Sequence, residues 1–394
     1  MATTTFGTAD PRTQTKWSKK LFEYALLNME LTQGGLMGDG SDNVIQVANE
    51  LTKGAGDKVV FKIRKPLTGA GVGDDGITSG YSEALSIMNF RVPVHERKHS
   101  VASSGPMSEK RTDTDIRGEA RDALGDWLAE KMENDLVAAL AGLYNESSAI
   151  STVNELKPSA SRKYFGGQSI SGSLAPARTY DASLGYPIAG SAWQPQCYLM
   201  GTRVISLIKR KAQLVAPKFR PVKIGGKKYF VMLLHPFQVK ALRQETGATG
   251  WAQIQAAANV RGETNPLFSG AVGVWDGVIL REYERVPTRL GAGSDGLAEG
   301  FLLNTGKTAT TDPAHTGITI ARALFLGMQA ACLAWGKMPT WTEDLEDVRT
   351  KPIVALDCIY GASKTQFSLH TPPSTDTAQE DFAVWIVDTC VQPD

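Results

Sequence analysis

The chain has 394 residues, 42% hydrophobic and 21% charged, which is enough for roughly two or three compact units with ordinary cores. Its 42 Lys and Arg against 41 Asp and Glu give a net charge of +1. No overall basic excess or basic stripe marks a protein that wraps nucleic acid, and no acidic tail marks a solvating segment. The four cysteines, Cys197, Cys332, Cys358 and Cys390, are scattered and form no CxxC pair. That spacing argues against a disulfide framework or a structural zinc site and predicts reduced thiols. The first ten residues are polar and Thr-rich, without the basic and apolar regions of a signal peptide. The longest apolar stretch, residues 323–335, contains Gln329 and is too short to span a bilayer. The expectation is a soluble protein made in the cytoplasm.

Asp10-Pro11 reads as a helix N-cap followed by proline at the first helical position. Trp17, Leu21, Tyr24, Ala25, Asn28 and Leu31 then follow helical spacing until Gly34-Gly35. Spacing alone favours a helix packed on its own domain over an arm that reaches a neighbour. Residues 57–67 alternate, with Val59, Phe61 and Ile63 on one face and Lys62 and Arg64 on the other, as in a half-exposed strand. A Gly-rich loop and a second extended stretch over 84–102 follow. Pro93 lacks a ladder donor, which places that stretch on an edge or a two-stranded ribbon. Together these segments predict a long Gly-tipped hairpin, marginal alone in water, that must lie on its own domain or on another subunit.

Residues 113–144 predict the strongest helix, capped by Thr112 or Asp113 and roughly 45 Å long at ~1.5 Å per residue. Its apolar stripe runs Ile116, Ala120, Ala123, Leu124, Trp127, Leu128, Met132, Leu136, Leu140, Leu143. From 147 to 192 the Ser-, Gly-, Thr- and Pro-rich composition reads as a long surface excursion. A strand and helix over 193–214, a hairpin at Gly225-Gly226, a buried strand over 229–234 and a short helix opened by His235-Pro236 follow. Residues 272–283 read as strand, turn, strand. Residues 316–335 are apolar nearly all round and predict a buried helix. Two strands, 354–362 and 382–389, close the chain. Segregated rather than alternating elements predict an α+β fold.

Three motif matches invite an enzymatic reading. His95-Glu96-Arg97-Lys98-His99 is an HExxH sequence, which on a helix would hold zinc with two histidines and activate water with Glu96. The neighbouring Pro93, valines and serines favour strand instead, which would put His95 and His99 about 13 Å apart at ~3.3 Å per residue and Glu96 on the opposite face. Residues 71–76 match GxGxxG, but a strand is expected to follow where a dinucleotide site needs a helix. Gly306-Lys307-Thr308 resembles the end of a phosphate-binding loop, but Phe301 stands where the motif needs glycine. His235 reads as a helix-start residue and His315 as part of a polar loop. The sequence therefore nominates no catalytic, cofactor-binding or metal residues. A zinc-dependent hydrolase using His95, Glu96 and His99 is the competing hypothesis, and a nucleic-acid-binding module a third.

The order polar arm, Gly-tipped hairpin, long helix and mixed body resembles the major capsid proteins of tailed bacteriophages, the Hong Kong 97 fold. Residues 5–11, 17–22, 42–47, 50–54, 107–111, 119–124, Leu234-His235-Pro236 and Val387-Asp388-Thr389 are similar to the N-four-like podophage members. The resemblance implies an N-terminal arm (1–50), an extended hairpin loop (51–106), a peripheral domain with spine helix and surface insertion (107–192), a mainly axial domain (193–350) and C-terminal strands returning to the body (351–394). It further implies hexamers and pentamers of this chain in an icosahedral shell, in the virion, assembled in the bacterial host cytoplasm. Decoration, scaffolding and portal proteins are candidate partners. Double-stranded DNA would touch the inner face non-specifically, and no membrane, cofactor or large cleaved propeptide is expected.

Overall fold

The computed structural model describes residues 29–33, 36–52, 56–64, 69, 71–74, 82–83, 87–103, 111, 116–142, 162–165, 199–215, 218–224, 226–245, 271–289, 320–346, 351–367 and 380–391. After a helical turn at Glu30–Gln33 come β1 (Met37–Gly38), β2 (Ile45–Ala48), β3 (Lys58–Arg64), β4 (Ile87–Pro93) and β5 (His95–Ala102). The long helix α1 (Ile116–Ala141) precedes β6 (Lys163–Phe165) and α2 (Thr202–Leu214). Then follow β7 (Val222–Ile224), β8 (Lys227–Leu234), α3 (Pro236–Arg243), β9 (Ala271–Trp275), β10 (Val278–Glu282) and β11 (Thr288–Arg289). The last elements are β12 (Ile320–Leu326), β13 (Ala331–Glu346), β14 (Lys351–Lys364), β15 (Gln366–Phe367), β16 (Glu380–Asp381) and β17 (Val384–Cys390).

Two sheets carry the fold. One runs β1-β2-β13-β14-β5, and the other β6-β17-β12-β8-β10-β9 with β7 and β11 attached. Strand β14 alternates, burying Val354, Leu356, Cys358 and Tyr360 in the core that also receives α1. Helix α1 contributes Leu124, Leu128, Met132, Leu136 and Leu140, all nearly inaccessible, at about 1.5–3 kcal/mol each. The second sheet is covered on both faces. From β8, Val231 and Leu233 join the α1-side core, while Phe230, Met232 and Leu234 join a second core with Val204, Ile205 and Ile208 of α2. Burial on both faces explains why β8 reads as a continuous apolar run. The β9–β10 turn uses Asp276 (φ 48°) and Gly277 (φ 74°), an Asp-Gly pair suited to a two-residue hairpin.

The helix expected over 316–335 is replaced by strands β12 and β13. An apolar run without periodicity fits two doubly buried strands as well as a buried helix. The break falls at Gly327, Met328 and Gln329, and Gln329 is left-handed (φ 57°). Long-range carbonyls take the donors a helix would use: Gly327 N–H bonds Ala383 O (2.9 Å), Met328 bonds Arg220 O (2.8 Å) and Gln329 bonds Asn43 O (2.9 Å). The expected surface excursion 147–192 also needs correction. Within it, β6 pairs in parallel with β17, and Arg162 and Tyr164 are buried. The expected N-terminal helix, from Asp10 to Gly34, lies outside the described residues except for its last turn, which is helical at Glu30–Gln33.

Candidate functional site

The HExxH residues form β5, an edge strand paired antiparallel with β14, with His95 opposite Tyr360 and His99 opposite Leu356. The period of two separates the motif into two faces. Toward α1, the His99 ring lies 4.7 Å from that of Trp127, and Arg97 approaches Asp135 (3.7 Å). On the other face, Glu96 pairs with Lys98 at 2.7 Å, and both are more than half exposed. Glu96 therefore points away from both histidines, and the strand does not bring together the set a zinc hydrolase needs. Among the described residues no group of three His, Cys, Asp or Glu could hold a metal ion.

The GxGxxG match lies between β3 and β4, which pair from Lys58↔Pro93 to Arg64↔Ile87. It sits in the connection of an antiparallel hairpin, not in a strand-to-helix turn. Gly71 has φ +75°, and near the connection the Gly69 N–H donates to Glu83 Oε2 at 2.7 Å. The root of this hairpin rests on its own body: Val59, Phe61, Phe90 and Val92 are buried in the α1-side core, and Val60 stays 42% exposed. Gly361 on β14 is pressed against the Pro93 backbone and leaves no room for a side chain. The Gly306-Lys307-Thr308 match, His315 and most of residues 147–192 lie outside the described residues.

His235 caps α3, as its place before Pro236 suggests. Its Nδ1 accepts the Phe237 N–H (3.3 Å), and Gln238 Oε1 accepts the His235 N–H (3.4 Å). Burial holds this imidazole below its usual pKa, against the opposing pull of Glu284.

Buried polar junctions that the sequence reading did not single out join the sheets to α1. Arg322 and Asp388 are opposed in the β12–β17 ladder, are almost completely buried, and form two bonds of 2.7 and 2.8 Å. Arg322 Nη1 also donates to Ala141 O (2.8 Å) at the end of α1, where the helix leaves carbonyls unsatisfied. Buried Asp135 accepts from Tyr360 Oη (2.9 Å) and Lys131 (3.0 Å). Buried Glu133 accepts the Leu31 N–H (3.1 Å) and pairs with Arg285 (3.2 Å). Lys364 and Asp381, both fully buried, pair at 2.8 Å where the chain leaves β14, and Gln366 donates to the same carboxylate (2.7 Å). Burial pulls the Lys364 ammonium below its ordinary range, against the pull of Asp381. A carboxylate on an apolar helix signals such a junction only once its partner is known, and the Leu31 and Tyr360 partners lie 102 and 225 positions away. Apart from Lys131–Asp135, which lies within α1, each of these pairs anchors one element to another.

The phage capsid protein family matches residues 5–393. The chain belongs to that family. The major capsid protein of Pseudomonas phage KPP25 is 24% identical over 393 residues, covering 97% of this chain and 96% of that one. Among solved structures, the capsid of Ralstonia phage GP4 is similar with a TM-score of 0.68 at 25% identity, covering 100% of this chain and 99% of the other. The capsid of cyanophage Pam1 is similar with a TM-score of 0.62 at 22% identity, over 91% and 92%. The fold is thus the α+β fold of tailed-phage capsid proteins, and this phage capsid protein is a structural component of the virion shell rather than an enzyme. Nothing in the fold or in these relatives supports the hydrolase hypothesis.

Proposed function

We propose that this capsid protein is the main building block of an icosahedral head that encloses double-stranded DNA, and that it assembles as hexamers and pentamers in the host cytoplasm. The observation that carries this reading is a capsid-family match over nearly the whole chain, on a fold whose hairpin is rooted in its own body and continues beyond that root. A two-stranded ribbon has too little core to stand alone, so contacts from neighbouring copies would stabilise its outer part. The five-stranded sheet with α1 forms the peripheral part in this reading, and the second sheet with α2 and α3 forms the axial part. The chain then crosses from the peripheral to the axial part between α1 and β6, returns at residues 327–330 and crosses again at 365–383. Residues 1–50 act as the arm and 51–106 as the extended loop, each tied into the peripheral sheet at its end, the arm through β1 and β2 and the loop through β5. Portal, scaffolding and decoration proteins would meet the assembled surface.

Sedimentation of the full chain, beside a variant lacking residues 69–80, tests this reading. The full chain should give capsomer-sized or larger species. The variant should remain folded by circular dichroism but assemble poorly. Normal particles from the variant would show that the hairpin tip does not reach its neighbours, and a monomeric full chain under all conditions would oppose the shell reading itself.

A further inference from the structure

Near-neutral net charge conceals a local excess. Residues 203–228 contain nine Lys or Arg and no Asp or Glu, in a chain whose total is +1, so the remainder is net acidic. The expectation of no basic stripe came from the average, and the fold gathers this segment on α2 and the β7–β8 hairpin. Arg203 and Arg210 are exposed and seven positions apart, two turns along one face of α2. In the hairpin, exposed Lys223 sits directly opposite exposed Lys228. Lys228 has the same parity on β8 as Phe230, Met232 and Leu234, whose side chains enter the core under α2, so this lysine pair lies on the α2 side of the sheet. The two elements meet at the β9–β10 turn: a Cβ at Gly277 would lie 3.7 Å from Lys209 Nζ and 3.8 Å from the Lys228 carbonyl. Asp276 of that turn pairs with Lys209.

Directly opposed like charges destabilise a strand pair. The Lys223–Lys228 placement therefore costs the isolated fold, and an external anion would relieve it. Phe219, the single aromatic residue of 203–228, is buried, and the half-buried Trp275 at the β9–β10 turn packs on the second core with its indole N–H donated to Ser206 of α2, so neither ring stands free to stack unpaired bases. Among the described residues Leu214 is its one large exposed apolar side chain, a small anchor beside so much charge of one sign. A predominantly basic, non-stacking surface, in which Asp276 is already paired with Lys209, matches a regular line of phosphates.

We propose that the surface formed by Arg203, Lys209, Arg210, Lys223 and Lys228 binds the phosphate backbone of duplex DNA without reading sequence. This inference rests on the head-shell reading and gives its DNA contact a place on the chain. Unassembled full-length protein would be titrated with a random-sequence duplex at several salt concentrations, beside an Arg210→Gln/Lys223→Gln/Lys228→Gln variant. The expected loss is on the order of a hundredfold in affinity at about 0.1 M salt, with a log–log salt slope shallower by about 3. The melting temperature should stay the same or rise, because repulsion is removed. Equal DNA affinity for parent and variant would overturn the proposal. So would preferential capture of poly-glutamate over duplex of equal charge, which would assign the surface to an acidic protein partner. Shell formation by the same samples is scored separately by electron microscopy. A parent that binds DNA through these residues yet never forms shells would contradict the head-shell reading alone.

Discussion

Arg322 and Asp388 show how a single pair can hold elements distant in sequence. Two facing residues of β12 and β17 satisfy each other, and the guanidinium has a further donor for the end of α1. Removing one partner from such a pair leaves an uncompensated buried charge, which costs about 3–5 kcal/mol. Asp388→Asn should lower the unfolding free energy by that amount in urea denaturation, and replacing both residues with apolar ones should recover much of it. A single variant as stable as the parent would mean that water reaches the pair. The buried thiols supply a second test. Burial pushes Cys332 and Cys358 up to about 12 from an ordinary value near 9, with Thr365 opposing at Cys332, and Asp357 reinforcing while Arg97 and Lys337 oppose at Cys358. Because the folded values lie above the unfolded ones, the folded chain holds these protons longer. Their contribution is complete below pH 9 and declines as pH rises from 9 toward 12. The stability advantage of the parent over Cys332→Ala should therefore be flat below about pH 9 and shrink from there toward about pH 10.5, and a constant difference would refute the assignment.

At the scale of elements, the β3–β4 hairpin depends on its seat. Pro93 lies against Gly361 so closely that any Cβ there must push the ribbon off β14. Gly361→Val should cost about 1–3 kcal/mol through overpacking, measured by urea denaturation, and an unchanged midpoint would show that the root can shift freely. The β3–β4 part of the hairpin, α1, the β7–β8 hairpin and the His235 cap were legible because each rests on local signals: alternation, helical spacing, turn residues and a proline at the helix start. The expected second hairpin strand over 84–102 instead divides after Pro93, and residues 95–102 leave the hairpin to pair with β14. Strands β12 and β13 were not legible. Their residues between 320 and 335 are rich in Ala and Leu, good helix formers, and what makes them strands is pairing with β17, β8 and β2, far away in the chain, and with the next strand, β14. Strand β6 was hidden for the same reason, since Ser- and Gly-rich neighbours mask three residues whose partner lies on β17. The basic surface on α2 and the β7–β8 hairpin was lost to averaging, because its charge is cancelled by acidic residues elsewhere.

For the whole molecule, the central claim is that the chain works by association with itself. The HExxH match shows why architecture outweighs a short motif here: the same five residues that could hold zinc on a helix are divided between two faces of an edge strand. Both sheets contribute to one continuous α1-side core, so a load on either sheet would pass through the buried pairs to the long helix. The hairpin and the arm would then link one such rigid body to the next. Electron microscopy of the full chain, expressed alone or beside its neighbouring genes, tests this most directly. Closed shells, or rings with six-fold and five-fold symmetry, are the result this account requires. A protein that remains monomeric in every condition, with about one zinc bound per chain, would contradict it.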